Sequence, residues 1–297
     1  MAVRTDLAVE HLGAEKEDLR GVERKFEEKG DIKISTFKIT SEEGEKTVGK
    51  PMGKYITLEF PPVYKICDYS ELKNEVVKAL EALISGKRDS ILIAGLGNTE
   101  ITPDAIGPLT VRQILATRHI SGQFAENIGL KGLRSVSVIT PGVLGQTGIE
   151  TTELIKGAIE AVKPDALIVI DALAAGSAHR LFKTIQLCNT GISPGSGVKN
   201  SRREISEKTL GIPVIAVGVP TVVDGITVAL DVLEAGGIEL DSSKRDAILS
   251  GEKGMMVTPK EIDLVIKRAS GLVSLAINRA LQPKLTAGEI MSIVATV

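Results

Sequence analysis

The chain has 297 residues, of which 43% are hydrophobic and 25% charged, a balance typical of a soluble globular protein. Its formal net charge of -2 provides no field that would attract nucleic acid or an anionic membrane. No run of about 18 apolar residues occurs and the first residues lack an apolar signal region, so we expect no membrane association. Cys67 and Cys188 lie far apart in sequence and are expected to be reduced thiols.

The first sixty residues combine a charged segment with two alternating stretches. Residues 1–30 are polar and charged and are predicted to form an arm that is at most weakly helical. Period-two alternation over 31–39 and 54–60, with a connection that contains glycine and proline, predicts an antiparallel pair of strands. The apolar residues of 68–86 recur at helical spacing and predict a helix.

From residue 89 onward, short β-branched runs alternate with helical segments. The predicted strands are 90–97, 133–140, 165–173, 183–188 and 213–220. The predicted helices follow the first of these strands, span 148–162 and end with 259–281. This alternation is typical of a parallel or mixed sheet that helices cover on both faces.

The loop GLGNTEITPDAIGP (95–108) stands where a phosphate-binding turn would stand, between an apolar strand and a helix. A dinucleotide fingerprint needs a third glycine, but Glu100 occupies that position and its charge would repel a pyrophosphate. A Walker loop is excluded because no Gly-Lys pair follows Gly97 at the required spacing. A nucleotide-fold binding module without catalysis stays open as an alternative.

Two aspartates follow buried runs of the predicted sheet. Asp104 lies in the loop after strand 90–97, and Asp171 lies at the carboxyl end of ALIVI. If the two strands are neighbours, both carboxyl groups reach the same edge, where ligands of open α/β sheets bind. Like charges at short range raise one pKa and leave the other group ionised, which supplies a general acid and a general base. Each residue also has a structural explanation, as a helix-start residue after Thr102 or as a turn former.

The remaining residues give no positive signal for a metal or for nucleophilic catalysis. The histidines His11, His119 and His179 show no spacing typical of metal ligands. A site built from Asp104, Asp171 and His179 is geometrically conceivable, but no ligand spacing supports it. The segments GISPG and AAGSAHR do not match the G-x-S-x-G elbow of a serine hydrolase. We therefore expect no metal and no cofactor.

Five segments together closely resemble the germination protease (spore protease) family of spore-forming bacteria. They are VRTDLAVE, GLGNTEITPDAIGP, TPGVLGQTGIET, VIDALAA and GIPVIAVGVPTVVD, which follow one another from Val3 onward. The resemblance implies a phosphorylase/hydrolase-like three-layer α/β core with a mixed, mainly parallel sheet, similar to that of hydrogenase-maturation endopeptidases. With the small β element at 31–60, it implies a single peptidase domain over 7–297.

The resemblance also implies an activity. The family degrades small acid-soluble spore proteins during germination and is classed as an unusual aspartic endopeptidase, and its two aspartates correspond to Asp104 and Asp171. Its members are tetrameric zymogens of the developing spore that cleave their own propeptides. In TDLA the expected cleavage lies between Asp6 and Leu7, which makes residues 1–6 a propeptide shorter than most in the family. We expect location in the cytoplasm of the forespore and spore core, and no direct binding of nucleic acid.

The segment 189–211 is rich in glycine, serine and basic residues and is the predicted mobile functional loop. Arg202 and Arg203 within it are candidates for bidentate binding of a substrate carboxylate. A tolerated surface insertion with solvated charges is the alternative explanation. A metal-dependent peptidase related to the hydrogenase-maturation enzymes is the alternative activity.

Overall fold

The computed structural model describes residues 5–12, 19–120, 132–195, 203–238, 240–249 and 254–296. Its strands are β1 (Val22–Lys29), β2 (Ile32–Ile39), β3 (Gly53–Glu59), β4 (Ser90–Gly95), β5 (Ser135–Ile139), β6 (Ala166–Ala175), β7 (Thr184–Cys188), β8 (Val214–Asp224) and β9 (Met256–Val257). Its helices are α1 (Ala8–Leu12), α2 (Glu42–Val48), α3 (Ser70–Leu83), α4 (Ile106–Val111), α5 (Leu144–Thr147), α6 (Thr151–Val162), α7 (Glu207–Leu210), α8 (Gly225–Ala235), α9 (Ser242–Leu249), α10 (Ile262–Leu281) and α11 (Ala287–Thr296).

The strands join into one mixed sheet of order β1-β2-β3-β7-β8-β6-β4-β5, with β9 paired to β8. The strands β5, β4, β6 and β8 are parallel, and the other pairings are antiparallel. This confirms the predicted α/β fold with a mixed sheet, although the antiparallel part is more extensive than predicted. Strand β7 follows β6 along the chain but lies between β3 and β8 in the sheet, antiparallel to both.

The N-terminal part of the sheet confirms one prediction and corrects another. Strands β2 and β3 form the predicted antiparallel pair, and β3 also pairs with β7, which joins this element to the rest of the sheet. The interpretation of residues 1–30 as an arm without strands was wrong, because Val22–Lys29 is a strand paired with β2 throughout its length. The sequence VERKFEEK does not show the apolar alternation expected of a strand, because an edge strand that faces solvent carries many charged residues.

Alternation along the central strands builds a core on each face of the sheet. In β4, Ile91 and Ile93 belong to one apolar cluster, whereas Leu92 and Ala94 belong to the other. Helices α3, α4 and α10 cover the first face, and α6 packs against β4 and β5 on the second. Three layers result. Strands β4, β6 and β8 are enclosed between the helices, as their largely apolar sequences require, whereas β5 lies at the edge of the sheet and is partly exposed.

Two further predictions concern the cysteines and the absence of a membrane-spanning helix. Cys67 is exposed and Cys188 is buried, and both are free thiols, as predicted. Among the helices that the structure describes, none combines the length and the apolar content needed to cross a bilayer.

Candidate active site

A cleft of about 380 Å3 opens where β4 stops and its neighbour β6 continues. The two strands are paired in parallel as far as Gly95 and Ile170, and β6 then runs on to Ala175. Both Asp104 and Asp171 line this cleft. The neighbouring parallel strands thus bring together the two carboxyl groups that the sequence pattern singled out.

Asp104 is held by a turn that depends on a glycine. Its carboxylate Oδ2 and its carbonyl oxygen both accept a hydrogen bond from the Asn98 N–H, at 2.9 and 3.2 Å. Gly97 has a φ of 113°, and a Cβ there would lie 2.0 Å from the Asp104 carbonyl oxygen. Only glycine therefore allows the backbone to pass so close to Asp104. The 3-10 turn that carries Asp104 has no side-chain cap, so Thr102 does not act as the helix cap considered above.

Two more glycines, Gly95 and Gly107, allow helix α4 to pack closely against the ends of the strands. A Cβ at Gly107 would lie 2.2 Å from the Leu96 carbonyl oxygen and 2.6 Å from that of Ile170, and a Cβ at Gly95 would lie 2.4 Å from the Gly107 carbonyl oxygen. The Leu96 N–H also donates to the Ile170 carbonyl oxygen at 2.8 Å. The glycines of this loop thus serve close backbone packing at the cleft, without any need for a phosphate ligand.

Asp171 lies inside β6 and is 6% exposed. The predicted strand 165–173 is close to the observed one, and β6 stays paired with β8 two residues further, as far as Ala175. Its Oδ1 accepts a hydrogen bond from the N–H of Ala172, so the residue does not form the turn considered as its structural explanation. A carboxyl group so little exposed interacts strongly with neighbouring charges, because water screens them poorly.

Residues 5–12, called the arm from here on, reach the same cleft, and Asp6 is one of the residues that line it. The Asp6 N–H donates to the Ala174 carbonyl oxygen at 3.0 Å, and the Ala174 N–H donates to Asp6 Oδ2 at 2.9 Å. Leu7 follows with no exposed surface. The bond between Asp6 and Leu7, where self-cleavage is predicted, is therefore docked beside the strand that carries Asp171.

A carboxylate further along the arm strengthens this docking. Glu10 accepts a hydrogen bond from the Gly176 N–H at 2.8 Å and pairs with Arg180 at 3.1 Å. Burial raises the pKa of the Glu10 carboxyl, although the hydrogen bonds from Thr5 and Gly176 and the charge of Arg180 oppose that change. Arg180 in turn pairs with Glu59 at the end of β3, so the arm is tied to the sheet through this cation.

Sequence reasoning missed two residues that contact the arm. The carbonyl oxygen of Asp6 accepts hydrogen bonds from Lys50 Nζ at 3.1 Å and from Gln186 Nε2 at 3.3 Å. The available signal was Gln186 itself, a polar residue in the otherwise buried strand TIQLC. Polar side chains at such positions nearly always have a specific partner. Lys50 carried no comparable signal.

Thr221 is a further polar residue of the cleft that the sequence did not indicate. It is fully buried, and its Oγ1 has no hydrogen-bond partner among the residues that the structure describes. Its carbonyl oxygen accepts from Thr258 Oγ1 at 2.9 Å, and both threonines line the cleft. Buried hydroxyl groups without a partner are uncommon in folded proteins.

The other candidate residues lie elsewhere. Arg203 is at the surface, where it pairs with Glu153 of α6 at 3.4 Å, and Arg202 lies outside the described residues. His179 is exposed on the turn that precedes β7. Within the described ranges, no group of three or more His, Cys, Asp or Glu side chains is close enough to hold a metal ion.

Truncation of Leu7 tests how firmly the arm is docked. We expect Leu7→Ala to weaken docking by about 2–5 kcal/mol, because a buried leucine loses its apolar contacts and leaves a cavity. Hydrogen exchange should report faster exchange of the Asp6 and Ala8 amides, with truncation of an exposed apolar residue on another helix, Val232→Ala, as the control. Unchanged protection in Leu7→Ala would show that the polar contacts of the arm, and not the burial of Leu7, hold it in place.

Comparisons with known proteins bear on the whole chain. A family model described as Germination protease matches residues 3–236. A protein named Germination protease from Caldanaerobacter subterraneus subsp. tengcongensis is 44% identical, with 97% of each chain covered. Proteins of the same name are 42% identical in Clostridium acetobutylicum, over 97% of this chain and 98% of that one, and 39% identical in Bacillus velezensis, over 96% and 94%. The crystal structure of the [NiFe] hydrogenase maturation protease HycI from Thermococcus kodakarensis matches with a TM-score of 0.38 and 19% identity, over 68% of this chain and 98% of that chain.

Proposed function

The chain belongs to the germination protease family, and we propose that it is an endopeptidase that starts the degradation of small acid-soluble spore proteins during germination. It is made as a zymogen that removes residues 1–6 by its own cleavage, and it works as a homotetramer in the cytoplasm of the forespore and spore core. One observation supports this proposal above the others. The arm that contains Asp6 and Leu7 is docked in the cleft that Asp104 and Asp171 line.

The two aspartates supply the acid and the base of the proposed reaction. One carboxylate takes a proton from water, whose oxygen attacks the scissile carbonyl carbon, and the other carboxyl group donates a proton to the leaving amine. Proximity of two carboxyl groups separates their protonation states near neutral pH. We assign the roles of acid and base to the pair and not to either residue singly.

A synthetic peptide with the sequence TDLAVE tests the proposed activity. We expect cleavage after the aspartate, with the new termini identified by mass spectrometry, and slow loss of residues 1–6 from the full chain. The matched peptide TNLAVE keeps the shape of the site without its charge and should be cleaved more slowly. Absence of cleavage of both peptides and of the chain itself would contradict the proposal. Loss of activity with a chelator and its return with a divalent cation would favour a metal-dependent peptidase instead.

A further inference from the structure

The carbonyl group of Asp6 lies in a site made for a hydrogen-bond acceptor. Lys50 Nζ and Gln186 Nε2 both donate to its oxygen. The two donors line a second cavity of about 240 Å3, and Asp6 lines both this cavity and the aspartate cleft. If cleavage occurs after Asp6, this oxygen belongs to the scissile peptide bond. The inference that follows therefore rests on the proposed function.

Gln186 forms hydrogen bonds with the arm at two points. Its Nε2 donates to the Asp6 carbonyl oxygen, and its Oε1 accepts from the N–H of Ala8 at 2.6 Å. Leu7 lies between these two contacts, and its side chain is fully buried. One side-chain amide thus fixes the backbone on both sides of the bond between Asp6 and Leu7, so the carbonyl has little freedom to turn.

The sheet register relates Gln186 to the catalytic strand. Asp171 of β6 is in register with Gly218 of β8, and Gly218 is in register with Gln186 of β7. Residues in register on neighbouring strands direct their side chains to the same face, so Asp171 and Gln186 stand on one face two strands apart. The arm bridges this interval, because it bonds to Ala174 of β6 and to Gln186 of β7.

Lys50 brings charge to the same oxygen from a different element. It follows α2 and is half-buried, and this burial lowers the pKa of its ammonium group, although Asp6, Cys188 and Glu10 act in the opposite direction. A hydrogen bond from a charged donor is about twice as strong as one between neutral groups. The attraction between a charged donor and its acceptor is strongest where water is excluded, because water screens charge.

We propose that Lys50 and Gln186 bind the scissile carbonyl oxygen and stabilise the negative charge that develops on it during hydrolysis. As the water oxygen bonds to the carbonyl carbon, the electron pair of the C=O bond moves onto the oxygen that these two donors contact, and an aspartate takes the proton of the water. When the C=O bond re-forms, the C–N bond breaks, and the amine leaves with a proton from the aspartate pair. A substrate in another molecule reaches the same donors once residues 5–12 vacate them.

Two substitutions test these roles. Lys50→Met removes the charged donor but keeps the length of the side chain, and Gln186→Glu removes the Nε2 donor while it keeps an oxygen to accept the Ala8 N–H. By analogy with other donors to a developing oxyanion, we expect kcat at saturating TDLAVE to fall about 100-fold in Lys50→Met. We expect a fall of at least about 10-fold in Gln186→Glu. The exposed Lys46→Met variant on α2 is the matched control and should keep the native kcat. A native kcat in either folded variant would overturn the role of that residue.

A second measurement separates carbonyl binding from a structural role and needs no catalysis. A peptide inhibitor with CH2–CH2 in place of the scissile CO–NH lacks the carbonyl oxygen and carries no charge there, so it should inhibit the native and Lys50→Met proteins equally. A structural role of Lys50 would weaken inhibition by this peptide as well, and that result would contradict the proposal. If native protein cleaves TDLAVE and Asp171→Asn does not, retention of kcat by Lys50→Met defeats this inference alone. If native protein fails to cleave, the proposed endopeptidase activity fails and the inference fails with it.

Discussion

Asp171→Asn is expected to lower kcat for TDLAVE at least about 1,000-fold while the protein stays folded. A positioned general acid or base contributes about 100- to 10,000-fold, and an amide neither takes a proton from water nor donates one to the amine. The substitution keeps the shape of the side chain and an oxygen for the Ala172 N–H, so it removes little besides the titrating group. Steady-state kinetics and the mass of the unprocessed chain measure the two consequences, loss of cleavage in trans and loss of self-processing.

Asp104→Asn provides the companion test with the same expected loss. The asparagine oxygen still accepts from the Asn98 N–H, so the turn that carries residue 104 should persist. Asp165→Asn is the matched control, because Asp165 accepts from the N–H groups of Asp89 and Ser90 at the opposite end of β4. Full activity in a folded Asn variant at 104 or 171 would remove that residue from the mechanism, and loss of activity in Asp165→Asn would point to a general effect on folding.

The sequence predicted those features that depend on local patterns. Continuous apolar runs predicted β4, β6 and β8, and the rule that parallel strands share a carboxyl edge predicted that Asp104 and Asp171 lie at the same edge of the sheet. The limits of β6 were predicted to within two residues, and the part that was missed, Ala174 and Ala175, follows the register shift after Leu173. Strand β1 escaped notice because an edge strand with charged residues lacks the apolar alternation that identifies buried strands.

The contacts of the arm lay beyond sequence analysis for a different reason. The resemblance of TDLA to the cleavage sites of the family indicated where the chain would be cut, but not which residues would hold that site. Lys50, Ala174 and Gln186 contact Asp6 from three separate parts of the chain. Without the order of the strands in the sheet, nothing places these residues beside one another. The site that binds the Asp6 carbonyl oxygen therefore depends only on the order of the strands. The aspartate pair depends on that order and also on local sequence, which marks the ends of the apolar runs.

Gly97→Ala is expected to damage the active site without touching either aspartate. At a φ of 113° an alanine is strained by about 1–3 kcal/mol, and its Cβ would lie 2.0 Å from the Asp104 carbonyl oxygen, which must move. Because the same oxygen and the Asp104 carboxylate share the Asn98 N–H, their displacement carries the carboxyl group away from its position. A misplacement of about 1 Å costs about 100-fold in rate, so we expect a loss of that order in kcat together with lower thermal stability.

Gly86→Ala separates strain from displacement in this experiment. Gly86 also has a positive φ, of 73°, but a Cβ there meets no atom within 4 Å. Its replacement should therefore lower the free energy of unfolding by about 1–2 kcal/mol and leave kcat unchanged. If Gly97→Ala behaves in the same way, with stability lost and kcat kept, then cleavage does not depend on the position of Asp104, and the case for Asp104 as a catalytic group weakens. If kcat falls only in Gly97→Ala, the glycine of this loop serves to place a carboxylate, which is what separates the loop from a turn that binds phosphate.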